Sequence, residues 1–195
     1  MATTPVPDPA SGLRAFGPSA LATPANAVTV ARLLVTPFFL WMVANGGSTW
    51  PALAFWIVLA STDGVDGYLA RKQGTTASGA FLDPLADKFL VLGAMFALAG
   101  KGIFWWVPVV LIAVREVGIS VYRSYWGRRG VSMPARMGAK VKTVVQSIAV
   151  GFALLPLTTD DHRWVANVWL WAGVALALFT GAQYLLDGRK ATRAV

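Results

Sequence analysis

Apolar residues in this chain fall into six long runs parted by short polar links. The first covers about residues 27–44, interrupted by Arg32 and Pro37, with Asn26 placed as its N-cap and Asn-Gly-Gly-Ser at 45–48 ending it. The second covers about 51–70 and stops at Arg71 and Lys72; a polar link at 73–78 leads into the third, about 79–99, closed by Lys101 and Gly102. Trp105 and Trp106 open a fourth run that reaches about Trp126 and carries Arg115 and Glu116 in its second half. The basic stretch GRRGVSMPARMGAKVK precedes the fifth run, about 141–157, and a turn at 160–163 precedes the sixth, about 164–186. Each run approaches the roughly 20 residues that a bilayer-spanning helix needs. Open sheets are excluded, because hydrocarbon leaves their edge N–H and C=O groups without partners. The pattern therefore predicts an all-α, polytopic integral membrane protein with six transmembrane helices.

Outside these runs lie two flanks. Residues 1–25 are rich in Ala, Pro, Thr, Ser and Gly and have too little apolar content for a core, so they read as a disordered cytoplasmic tail. No compact basic region precedes an unbroken apolar run there, which argues against a signal peptide. Residues 188–195 read as a basic cytoplasmic tail, leaving 26–187 as one membrane domain.

Composition agrees with a membrane protein. Of 195 residues, 56% are hydrophobic and 13% charged, against about 25% charged in soluble domains. The chain has no cysteine, which removes disulfides, zinc–thiolate clusters and thiol nucleophiles. A formal charge of +8 in so apolar a chain indicates basic loops at an anionic membrane surface rather than nucleic-acid binding. Six spans put both termini on one side, together with twelve of the seventeen Lys and Arg residues; the opposite side has Lys101 and Arg163. The excess of positive charge makes the termini cytoplasmic, and Trp50, Trp105, Trp106 and Trp164 fall at the opposite interface.

One stretch departs from this hydrocarbon pattern. Residues 63–87, DGVDGYLARKQGTTASGAFLDPLAD, contain four of the nine acidic residues in the chain. A carboxylate within a span costs about 2.5–3.5 kcal/mol on insertion scales, so a cluster of them marks a functional site. Asp63 and Asp66 are spaced i, i+3, and Asp83 and Asp87 i, i+4, so each pair shares a helix face. Counted outward from the link, Asp66 matches Asp83 in depth and Asp63 matches Asp87. Four carboxylates meeting in one pocket cannot all ionise unpaired. Two divalent cations would balance them, and an oxygen-only donor set favours Mg²⁺ or Mn²⁺ over zinc. A metal pair of that kind suits in-line displacement at phosphorus. Gly67 and Gly79 allow close approach on the same faces, Arg71 stands at the pocket mouth, and Thr75, Thr76 and Ser78 add hydroxyls. Interhelical hydrogen bonding and divalent-cation transport are the other uses of such a cluster.

The pattern Asp63-x-x-Asp66-Gly67-x-x-Ala70-Arg71, then Gly79-x-x-x-Asp83-x-x-x-Asp87, resembles the signature of the CDP-alcohol phosphotransferases, six-helix membrane enzymes that join a phosphatidyl group to an alcohol and release CMP. The gap between Arg71 and Gly79 is one residue shorter than is more usual in that family. The resemblance implies that Asp63, Asp66, Asp83 and Asp87 hold two metal ions and that Asp87 deprotonates the acceptor hydroxyl. It also implies that Gly67, Ala70, Arg71 and Thr76 contact the CDP-lipid, with Asn26 and Thr29 nearby.

For the acceptor, Arg115, Lys140 and Lys142 are basic residues toward the cytoplasmic half that suit an alcohol bearing its own phosphate. A plainer reading pairs Arg115 with Glu116 or a neighbouring helix and leaves the lysines as headgroup anchors. The stretches VTVARLLVTPFFL, GAFLDPLADK, REVGISVYRS and GAKVKTVVQ are similar to those family members, bacterial ones, that use sn-glycerol 3-phosphate. The resemblance then implies CDP-diacylglycerol and glycerol 3-phosphate as substrates, a homodimer, and a multi-pass protein of the bacterial inner membrane whose site faces the cytoplasm. Other acceptors within the family are inositol phosphate, serine and phosphatidylglycerol. Arg128, Arg129 and Arg136 read as loop charges, and His162 as a solvated residue on the far turn.

Overall fold

The computed structural model describes residues 24–73, 77–127, 137–158 and 162–192, with side chains described for 26–62, 85–126, 141–157 and 162–186. Among these residues the chain forms six α-helices: α1 (Pro24–Gly46), α2 (Trp50–Gln73), α3 (Ala77–Gly100), α4 (Trp106–Gly127), α5 (Met137–Leu154) and α6 (Arg163–Thr192), with a 3-10 turn at Pro156–Thr158. Each apolar run is thus one helix, and the fold is all-α.

The ends shift for local reasons. Helix α1 begins at Pro24, so Asn26 lies inside its first turn and not at the cap. Proline suits that first position, where its missing N–H would have had no partner. Both α1 and α3 stop at glycine: Gly47 and Gly102 have φ of 67° and 69°, the left-handed conformation that closes a helix. Helix α5 ends at Leu154, short of residue 157, and Pro156 starts the 3-10 turn. Helix α6 continues to Thr192, into the stretch read as a basic tail.

Three connections gather at one end of the bundle. Lys101 Nζ donates to Asn45 O (2.9 Å), Ser48 Oγ to Ala153 O (2.6 Å), and Asn167 Nδ2 to Ile103 O (3.2 Å). Trp50, Trp105, Trp106 and Trp164 are all exposed there. Toward this end lies the apolar core, with Phe39, Val43, Trp56, Met95, Leu98, Phe104, Ile112, Leu154 and Leu170 buried together. Phe39 stacks on Phe55 and Trp56.

Helix α1 packs against both α2 and α3, and α6 against α4 and α5; α3 with α4, and α2 and α3 with α5, join the two halves. Glycines set the closeness. A Cβ at Gly93 of α3 would lie 2.7 Å from Leu40 Cδ1 of α1, so any side chain there would force Leu40 to move or the helices to part. The outer faces stay apolar, with Leu34, Phe38, Val58, Val114 and Phe179 more than half exposed. Two stretches, Asn26–Gly46 and Arg163–Leu186, are by themselves long and apolar enough to cross a membrane; Trp50–Thr62 and Val141–Leu154 are shorter apolar segments.

Candidate active site

Away from the tryptophan end, the buried faces turn polar. Along α1, Asn26, Thr29, Arg32 and Thr36 follow one stripe at i, i+3 and i+4 spacing, and none is more than 2% exposed. Phe39 and Val43 continue the same stripe as apolar core. Thr36 Oγ1 donates to Arg32 O at 2.7 Å, one residue before Pro37. Arg32 Nε donates to Thr62 Oγ1 of α2 at 3.2 Å, and that hydroxyl donates onward to Leu59 O at 2.6 Å. A buried guanidinium therefore ties α1 to the residue immediately before Asp63.

Asp63, Asp66, Gly67, Ala70 and Arg71 lie on α2, and Gly79, Asp83 and Asp87 on α3. Both helices run unbroken through these positions, so the paired spacing does place Asp63 with Asp66, and Asp83 with Asp87, on common helix faces. Asp66 precedes the last residue of α2 by seven and Asp83 follows the first residue of α3 by six; Asp63 and Asp87 are each ten from those ends. The depths correspond to roughly 10 and 15 Å along the axes. Of the four aspartates, the side chain of Asp87 is described. Those of Asp63, Asp66 and Asp83 are outside the described residues, as are those of Ala70, Arg71 and Lys140, and the whole of Thr76. Among the described residues no three His, Asp or Glu side chains form a metal-sized cluster.

Asp87 stands where two cavities meet. The larger, about 570 Å³, lies between α2, α3 and α5. Its α2 wall (Leu53, Trp56, Ile57, Ala60, Ser61) is one helical stripe. Leu90 and Val91 continue the Asp87 face on α3, and Val144, Ser147, Ile148 and Gly151 supply the α5 wall. Trp56 Nε1 donates to Ser147 O at 3.3 Å across it. An apolar trough thus leads to a carboxylate.

The smaller cavity, about 20 Å³, lies between α3, α4 and α5 and is lined by Asp87, Lys88, Glu116, Lys142, Thr143 and Gln146. Lys88 Nζ donates to Ser120 Oγ. Glu116, 6% exposed, receives both Lys142 Nζ and Arg115 NH1, the latter at 2.9 Å. Arg115 turns the rest of its fork toward α6: Nε donates to Ala177 O at 2.8 Å and NH2 to Thr180 Oγ1 at 2.8 Å. Gly181 leaves room for it, since a Cβ there would sit 3.3 Å from Arg115 Nε. Of the three basic residues singled out in the sequence, Lys142 therefore faces the Asp87 cleft, while Arg115 is engaged with Glu116 and α6. His162 is exposed at the opposite end.

Arg32, Lys88 and Gln146 belong to this polar region but were not singled out by pattern. A usable signal existed for Arg32 and Lys88, because a cation within an apolar run is itself anomalous. Gln146 had none, since an amide in a helix is ordinary until its burial is known.

Among the described residues the chain is thus an all-helical bundle with a polar, carboxylate-bearing end and an apolar trough opening onto it. The chain belongs to the CDP-alcohol phosphatidyltransferase family, whose model matches residues 22–179. It is 41% identical over 176 residues to a "Probable phosphatidylglycerophosphate synthase" of Mycobacterium tuberculosis, covering 87% of this chain and 83% of the relative. It is 35% identical over 178 residues to the "CDP-diacylglycerol–glycerol-3-phosphate 3-phosphatidyltransferase" of Escherichia coli K12, covering 83% of this chain and 92% of that protein.

Proposed function

We propose that this chain transfers the phosphatidyl group of CDP-diacylglycerol to sn-glycerol 3-phosphate, giving phosphatidylglycerophosphate and CMP. The observation that carries the reading is Asp87 at the junction of an apolar trough and a cationic cleft, with the other three aspartates in matched register on α2 and α3. The names of the two relatives point to the same substrates.

In this reading an acyl chain of the CDP-lipid lies in the 570 Å³ trough, and the diphosphate reaches the aspartates. Asp63, Asp66, Asp83 and Asp87 would hold two divalent cations, Mg²⁺ or Mn²⁺, which supply charge neutralisation for the diphosphate and the leaving CMP. The hard, oxygen-only character of those donors suits such ions. Asn26, Thr29, Gly67, Ala70, Arg71 and Thr76 would contact the cytidine diphosphate portion. Asp87 takes the proton of the acceptor hydroxyl; the oxygen forms a bond to the phosphorus carrying the diacylglycerol, and the bond from that phosphorus to the CMP oxygen breaks. Lys142, with Lys140 two residues earlier on α5, would hold the acceptor's phosphate. Arg115 contributes by fixing Glu116 and thereby Lys142.

The six helices are read as six spans of a bacterial cell membrane, with both termini and the site on the cytoplasmic side. Supporting this are the exposed apolar outer faces, the four tryptophans gathered at one end, and the excess of Lys and Arg outside that end. The testing experiment incubates the reconstituted protein with CDP-diacylglycerol, a divalent cation and a panel of alcohols, and follows CMP and the lipid formed. Glycerol 3-phosphate should give metal-dependent CMP release and phosphatidylglycerophosphate. No CMP release with any alcohol, from protein correctly inserted in membrane, would refute the proposal.

A further inference from the structure

Gln146 on α5 is 3% exposed, and its side-chain Nε2 has no hydrogen-bond partner among the described residues. Burying an amide without a partner is unfavourable, and such groups are found paired in the great majority of proteins. A Cβ at Gly173 of α6 would lie 3.1 Å from Gln146 Cγ, close enough that the glutamine would have to give by a few tenths of an ångström. The same residue lines the 20 Å³ cleft that Asp87 also lines.

We propose that Gln146 is a specificity-determining residue that binds the acceptor's second hydroxyl, on the carbon adjacent to the one that bears the attacking oxygen. The inference rests on the function proposed above and extends it to a residue outside the aspartate motif.

Size and chemistry select the occupant. A cleft of 20 Å³ takes one water-sized group, for which roughly 10–15 Å³ suffices. Its walls mix donors (Lys88, Lys142, Gln146) with acceptors (Asp87, Glu116), and Thr143 can be either. A whole phosphate group is too large for this volume and would reach Lys142 only from outside the cleft. A hydroxyl is neutral, both donates and accepts, and fits the volume. Because Asp87 borders the cleft and is the proposed base for the attacking hydroxyl, covalent geometry brings the adjacent hydroxyl of a polyol to this place. Lys88 and Lys142 each give one of their three donors to Ser120 and Glu116, whereas Gln146 Nε2 has none engaged among the described residues, so the amide is the group with most to gain from receiving it.

The test compares glycerol 3-phosphate with 3-hydroxypropyl phosphate, which keeps the attacking hydroxyl and the phosphate but lacks the middle hydroxyl. Wild type should favour glycerol 3-phosphate by about 10- to 100-fold in kcat/KM. The near-isosteric Gln146→Met should lose most of that preference through the glycerol 3-phosphate value, leaving the deoxy acceptor within about twofold. Gly173→Ala, which crowds the glutamine by a few tenths of an ångström without altering it, should act in the same direction to a smaller extent. Equal losses for both acceptors in Gln146→Met, or no loss for either, would overturn the role; the latter is expected if the cleft holds only a resident water. Wild type that releases CMP with neither acceptor refutes the proposed function itself, whereas wild type that uses both equally overturns only this inference.

Discussion

Arg32 Nε on α1 lies 3.2 Å from Thr62 Oγ1 on α2, and the two residues join the polar end of the bundle one position before Asp63. The guanidinium is 2% exposed, so its donors must be met inside the protein. Thr62 uses its hydroxyl both ways, accepting from Arg32 and donating to Leu59 O. Thr62→Val keeps the shape and removes the acceptor. We expect a stability loss of about 1–3 kcal/mol, since a charged donor loses a partner in a buried place. Thr62→Ser should stay close to wild type. Thermal unfolding followed in detergent by size-exclusion chromatography measures both, and equal behaviour of Val and Ser would show that the hydrogen bond does not matter.

For Asp87, the geometry allows a base and a metal ligand in the same side chain, because it borders both the trough and the cleft. Asp87→Asn retains the size and loses the proton acceptor. Turnover should fall by roughly 10²–10⁴-fold, the usual share of general-base catalysis, while CDP-diacylglycerol binding is largely kept. Parallel measurement of CMP release and of lipid binding separates the roles. Loss of both to the same extent would make Asp87 mainly a metal ligand.

Arg115 and Lys142 meet on Glu116 but are placed for different work. Lys142 faces the cleft beside Asp87, whereas Arg115 holds α6 through Ala177 O and Thr180 Oγ1. Arg115→Lys cannot reproduce that planar fork. It should lower stability by about 1–3 kcal/mol, the cost of leaving buried acceptors on α6 without their donor, with similar effects on both substrates. Lys142→Ala should instead raise KM for glycerol 3-phosphate by about tenfold or more, with a smaller change for the lipid. Steady-state kinetics with each substrate varied in turn decides the matter; a selective acceptor defect in Arg115→Lys would place its guanidinium on the acceptor.

The helices were legible because long apolar runs leave few alternatives, and Gly47 and Gly102 end α1 and α3 where glycine-bearing links were expected. The aspartate register was legible for the same reason: an unbroken helix converts spacing directly into a shared face. What escaped the pattern depends on partners far away in sequence. Asn26 looks like a cap until Pro24 starts the helix two residues earlier. Arg115 stands out in the sequence as a cation in an apolar run, but its partners at 177 and 180, and the Gly181 that leaves room for it, show only in the fold. Arg32 shows its anomaly in sequence but not its address, which Thr62 supplies.

The trough between α2, α3 and α5 gives a test of how the lipid enters. Gly151 lines it, and a Cβ there would make only ordinary contact with Trp56 Nε1 at 3.7 Å, so alanine fits without disturbance. Phenylalanine would fill part of the 570 Å³. Gly151→Ala should leave KM for CDP-diacylglycerol near wild type, and Gly151→Phe should raise it by about tenfold or more through displaced acyl–wall contact, each buried methylene contributing about 0.8 kcal/mol. The defect should shrink with short-chain CDP-dioctanoylglycerol, which needs less of the trough, while KM for glycerol 3-phosphate stays unchanged. An equal defect with long and short chains would move the acyl site elsewhere.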